Sequence, residues 1–116
     1  MCQLFVGADR ELWEPHTHSL RLHGVSTSIR LEVFFWDVLE EIALRDGMTI
    51  NELIARLYDE VIEAEHGVDN FTSFLRVCCG RYLRLQADRM IPGDRSVPIR
   101  SLDAARLAAS CAASRS

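Results

Sequence analysis

A chain of 116 residues that is 48% hydrophobic and 26% charged, with 6 glycines and 3 prolines, has the profile of one small globular domain, too short for a barrel enzyme or a two-lobed nucleotide-binding fold. Its formal net charge of −4 speaks against a nucleic-acid partner only if the sum alone is read, because all 13 basic residues are arginines and they are unevenly spread. No apolar run approaches the roughly 18–20 residues needed to span a bilayer, and MCQLFVGADRELWEP has no basic region ahead of an apolar one, so a cytoplasmic setting is expected.

Residues 1–18 read as an arm, with Leu4, Phe5 and Val6 available for docking. Residues 19–31 are β-like: Leu20 and Leu22 alternate with Arg21 and His23, and after Gly24 the apolar-facing set Thr27, Ile29 and Leu31 alternates with Ser26, Ser28 and Arg30. Gly24 marks either a bulge or the bend of a hairpin. The stretch 16–31 contains two arginines and no acid.

From Val33 the period becomes helical. Phe35, Leu39 and Ile42 form a stripe widened by Trp36, Val38 and Ala43, with Glu40, Glu41 and Arg45 off it, and Asp46-Gly47 suits a left-handed end. Thr49 with Glu52 fits a capping box, followed by Ile50, Leu53, Ile54, Leu57, Val61 and Ile62 at helical spacing as far as His66-Gly67. A third helix is expected from about Phe71 to Leu85, capped by Asp69 or Asn70. Its stripe is Phe71, Phe74, Leu75, Cys78, Tyr82 and Leu85, with Arg76, Arg81 and Arg84 on its other face. Residues 32–69 carry a net charge of −9 and residues 70–116 one of +5. Residues 88–116, with two prolines and an Ala/Ser/Arg-rich end, read as a partly disordered tail with room for a short helix over Leu102–Ala109. The domain is thus placed at 19–87, and no internal repeat is read.

Cysteines at 2, 78, 79 and 111 do not form a disulfide framework. Cys2, His16, His18 and His23 are the sharpest metal candidates, but no C-x-x-C or H-x-x-x-H spacing supports them, and no metal or other cofactor is expected. Cys2 as an amino-terminal nucleophile would require a larger layered fold, so no catalytic residue is assigned and no enzyme is expected.

The strand poses a question of accounting, because its backbone N–H and C=O groups need partners and no later segment reads as β. Either residues 19–23 fold back as a hairpin, or the strand pairs with its copy in a second molecule. A lone hairpin is marginal in water, and two amphipathic helices offer more apolar surface than one small ribbon covers, so a dimer is favoured. In such a ribbon Ser26, Ser28 and Arg30 face outward on a surface sized for the DNA major groove, and Arg30 can bond guanine O6 and N7. Arg21 and His23 are candidates for additional DNA contacts. The amino-terminal N–H groups of the second helix, with Thr49 and Asn51, make a phosphate-binding end. Singly, a polar strand face is an ordinary solvated face and a capping box an ordinary cap; their order and spacing together suggest double-stranded DNA.

The stretch TSIRLE, FFWDVLEEIALRDG and MTINELIARLYDEV resembles the ribbon-helix-helix superfamily of bacterial repressors. The fuller pattern over residues 1–87, with MC-x-L-F, SLRLHG and FTSFLRVCCGRYL, is similar to a subgroup of short proteins with an added third helix. The resemblance implies a mainly α fold with a short β-ribbon, built as an intertwined homodimer, with tetramers on some operators. It implies base reading by Ser26, Ser28 and Arg30, phosphate binding by Thr49, Ile50 and Asn51, and a nucleoid-associated regulator of transcription. Two other readings compete: a protein-interaction module such as an antitoxin whose Arg-rich tail wraps a partner, and a regulator responding to a metal or ligand through His16, His18 and His23.

Overall fold

The structure, a computed structural model, describes residues 2–67 and 69–102. A short helix α1 (Cys2–Val6) and a 3₁₀ turn (Arg10–Trp13) lead into two strands, β1 (Pro15–Leu22) and β2 (Val25–Glu32). Three longer helices follow: α2 (Val33–Arg45), α3 (Ile50–Glu63) and α4 (Phe71–Ala87). Leu4, Phe5 and Val6, expected to dock, stay exposed. The short helix and loose tail expected beyond residue 102 lie outside the described residues.

β1 and β2 form an antiparallel hairpin, from Pro15 opposite Glu32 to Leu22 opposite Val25. The two turn residues, His23 (φ 52°) and Gly24 (φ 77°), both take the left-handed conformation that a two-residue hairpin turn of matching twist requires. Of the two pairings the sequence left open, the hairpin is present: β1 of the same chain pairs with β2. The strand begins at Pro15, so what reads as the end of an arm is half of the ribbon.

The inward face of the hairpin, Leu20, Leu22, Ile29 and Leu31, rests on the helices. α2 packs against α3, α4 and β2, while α3 reaches β1 and α4 reaches β2. Trp36, Val38, Leu39 and Ala43 of α2 meet Leu53, Ile54 and Val61 of α3 and Phe71, Leu75, Cys79, Tyr82 and Leu85 of α4 in one core. Leu31, Leu39, Ile54, Leu75 and Cys79 are fully enclosed, whereas Phe35, Ile42 and Leu57 are partly buried at its margin.

The helix ends follow local rules. α2 stops at Gly47 (φ 67°), with Met48 N–H returning to the Ala43 carbonyl at 3.0 Å. α3 starts on the expected capping box: Glu52 N–H donates to Thr49 Oγ1 at 3.1 Å, and the Glu52 carboxylate accepts from Thr49 N–H. At the ends of α3 and α4 the left-handed residue is Glu65 and Arg89, not a glycine.

Three expectations are corrected by packing. α4 buries Cys79 rather than Cys78 and leaves Phe74 at the surface; the Cys79 thiol donates to the Phe35 carbonyl at 3.6 Å. Burial pushes the Cys78 thiol up to about 11 and Cys79 up to about 12, so both stay protonated and unreactive at neutral pH. Arg45, read as off the buried stripe, is only 5% exposed. Its guanidinium donates to the carbonyls of Asp94 (3.0 Å) and Val97 (2.9 Å) and to the Tyr82 hydroxyl (3.2 Å). Asp46 accepts from the Ile99 amide at 2.7 Å, and Arg95 pairs with Glu41 at 2.7 Å. Residues 94–99, assigned to the tail, are thus a strap held across the carboxyl end of α2, and Ile91 enters the core.

Candidate nucleic-acid interface

Residues directly opposite in an antiparallel pair project from the same face of the sheet. The register therefore sets Thr17 beside Arg30, Ser19 beside Ser28 and Arg21 beside Ser26. All six are exposed, and their strand neighbours Leu20, Leu22, Ile29 and Leu31 are buried. The hairpin is thus a two-sided ribbon: one face sends Leu20, Leu22, Ile29 and Leu31 into the core, and the other carries a patch of four hydroxyls and two guanidinium groups from these six residues. Ser26, Ser28 and Arg30 stand on this face as expected, and Arg21 joins them. Sequence reasoning misses Thr17 and Ser19, because it assigns residues before 19 to the arm and does not place Ser19 on the outward face.

The ribbon is held rigidly to the helices. The Trp36 indole N–H donates to the His16 carbonyl at 2.9 Å, and its ring stacks on His18 with centroids 3.8 Å apart and planes at 12°. At the tip, His23 Nε2 lies 2.5 Å from Asp59 of α3, and the imidazole meets Tyr58 edge-on. His23 is therefore engaged as a tether at the turn. At the base, Arg76 of α4 grips Glu32 through two bonds of 2.9 and 3.2 Å, and this guanidinium holds the Glu32 carboxyl below its usual range. Asp59 at the tip and Glu32 at the base are thus paired with His23 and Arg76.

His18 stacks and His23 is tethered, and among the described residues no group of three or more His, Cys, Asp or Glu side chains is placed to hold a metal ion.

The start of α3 lies beside β1. His18, Glu40, Leu44, Met48, Thr49 and Asn51 line an open depression of about 420 Å³ there. The Thr49 hydroxyl is committed to Glu52, so the groups at this end without a partner among the described residues are the backbone N–H of Ile50 and Asn51 and the exposed Asn51 side chain. Glu40 and Glu52 temper the positive potential of the helix end.

A two-stranded ribbon leading into two packed helices, with a capped second helix, defines a class. The chain belongs to the ribbon-helix-helix domain family, whose model matches residues 15–83. Domains of this family bind DNA or act in regulators and antitoxins. Among solved structures the chain is similar to an uncharacterized protein from Bordetella pertussis Tohama I, with 58% sequence identity and a TM-score of 0.89 over 92% of this chain and 86% of that one. No curated protein matches the chain. No helix among the described residues is long and apolar enough to cross a membrane.

Proposed function

We propose that the chain is a sequence-specific, non-enzymatic DNA-binding regulator that lays the outer face of its hairpin in the major groove of double-stranded DNA. One observation carries this reading: the hairpin packs Leu20, Leu22, Ile29 and Leu31 onto the helices and presents on its other face the hydroxyls of Thr17, Ser19, Ser26 and Ser28 and the guanidinium groups of Arg21 and Arg30. The major groove admits a two-stranded ribbon, and Arg paired bidentately with guanine O6 and N7 is its commonest specific contact. Ser26 and Ser28 donate or accept at base edges beside Arg30, while the Ile50 and Asn51 amides, with Thr49 orienting the helix start, receive a backbone phosphate and set the register. Exposed apolar side chains on α2 and α4, among them Leu44 and Val77, support a homodimer that sets two such faces on neighbouring sites, with tetramers on longer operators. Such a protein works at the nucleoid.

The test is selection from a random duplex pool by the full chain at a fixed salt concentration near 0.1 M, followed by sequencing. Enrichment of a defined motif is expected, lost on replacing Arg30 with Ala while the circular dichroism spectrum is retained. Retention of random and selected duplexes alike, together with co-purification of a tightly bound protein, would replace this reading with the interaction-module one.

A further inference from the structure

Two neighbouring residues at the end of α2 hold the strap by opposite charges. Arg45 donates to the carbonyls of Asp94 and Val97, whereas the Asp46 carboxylate accepts from the amides of Ile99 (2.7 Å) and Arg100 (3.4 Å). The 3₁₀ turn Ile99–Ser101 starts on that carboxylate, and Ile99 and Leu102 pack against the core. In each of these hydrogen bonds the strap uses its main chain, so the Arg100 side chain is left over. It is exposed and pairs with no carboxylate among the described residues, while the Arg95 guanidinium is matched by Glu41 at 2.7 Å.

The turn that anchors Arg100 leads directly into α3, because Thr49, its N-cap, follows Asp46 by three residues. This helix start offers the amides of Ile50 and Asn51, yet Glu40 lines it, Glu52 sits in its first turn and Asp46 closes the turn before it. A phosphate arriving there meets three acids. Arg45 does not offset them, since it is buried and its guanidinium is turned into the strap. Exposed charges interact within about 10 Å at 0.1 M salt, so a compensating cation has to stand close by. Resting on the DNA-binding reading above, we infer that the strap belongs to the DNA-binding surface and that Arg100 supplies this cation to the phosphate at the start of α3. Asp46 then has two effects: its negative charge is taken up by strap amides, and the same bonds seat Arg100 beside α3. Arg100 adds affinity without choosing the sequence, because a phosphate contact carries no base information.

The experiment follows binding of the full-length parent, Arg100→Gln, Arg100→Lys and Arg95→Gln to a random duplex and to the duplex the parent selects, as salt is varied. Arg100 is exposed and its strap is held through its amide, so unfolding midpoints near that of the parent are expected and establish that the variants are folded. Arg100→Gln should weaken both duplexes evenly and make the slope of log K against log[salt] shallower by about 1 for each chain bound. Arg100→Lys should keep the parent's slope, since an ammonium serves a phosphate as a point charge. Arg95→Gln takes the same charge from the same strap and should leave the slope in place. An unchanged slope in Arg100→Gln, a loss shared by Arg100→Lys or by Arg95→Gln, or a changed motif overturns the role of the strap while DNA reading stands. A parent that prefers no duplex overturns that reading and this inference with it.

Discussion

Arg76 of α4 holds Glu32, the last residue of β2, through Nε–Oε1 and Nη2–Oε2 contacts of 2.9 and 3.2 Å. Glu32 stands two residues beyond Arg30, so this pair cancels a negative charge beside the cation proposed to face DNA.

Arg76→Gln is expected to return the Glu32 carboxyl toward its ordinary value, read by NMR titration, and to weaken binding of all duplexes, most strongly at low salt. The sign of the pH effect follows from the lowered carboxyl. The pair's contribution to stability is complete above the ordinary glutamate value of about 4.3 and is lost as pH falls through the lower folded-state value. Both side chains are partly exposed, which limits that contribution to about 1 kcal/mol or less.

Arg45 joins α2 to the strap at residues 94–99 and to Tyr82. Arg45→Met removes every donor of a charged group and leaves the Val97 carbonyl and its neighbours short of partners. A loss of about 2–4 kcal/mol in urea unfolding is expected, with faster tryptic cleavage after Arg95 and Arg100 as the strap comes free.

Gly24 takes φ 77°, and a methyl group placed there would meet nothing within 4 Å. The cost of Gly24→Ala is therefore purely conformational, about 1–2 kcal/mol. His23→Asn retains a residue that tolerates the left-handed region but cuts the link to Asp59, so it should cost less in denaturant unfolding while increasing amide exchange at the hairpin tip.

At the start of α3 the roles of two neighbours separate. Thr49→Ala loses the capping box, about 1 kcal/mol of stability, together with DNA affinity. Asn51 makes no capping bond, so Asn51→Ala should leave the unfolding midpoint in place and lower affinity evenly for selected and random duplexes.

Much of this molecule is written in short-range pattern. The alternation through Ile29 and Leu31, the helical spacing from Leu53 to Val61, the Thr49–Glu52 box and Gly47 each depend on residues within a few positions of one another. Those features stand where the pattern puts them. The candidate site was half legible for the same reason: β2's outward residues follow from alternation alone. Thr17 and Ser19 could have been found from the likeness of THSLRL to STSIRL, but only pairing turns that likeness into a shared face.

The amino-acid sequence by itself determined that β2 is extended, that α2, α3 and α4 are helical, and which sides of β2 and α3 are apolar, because those properties follow from local sterics and periodicity. Tertiary structure decided which strand satisfies β2, that Arg45 is buried, that Cys79 rather than Cys78 faces the core, and that residues 94–99 form a strap. Each of these depends on a partner many positions away, and a backbone edge or a guanidinium is satisfied equally well by any acceptor that folding brings to it.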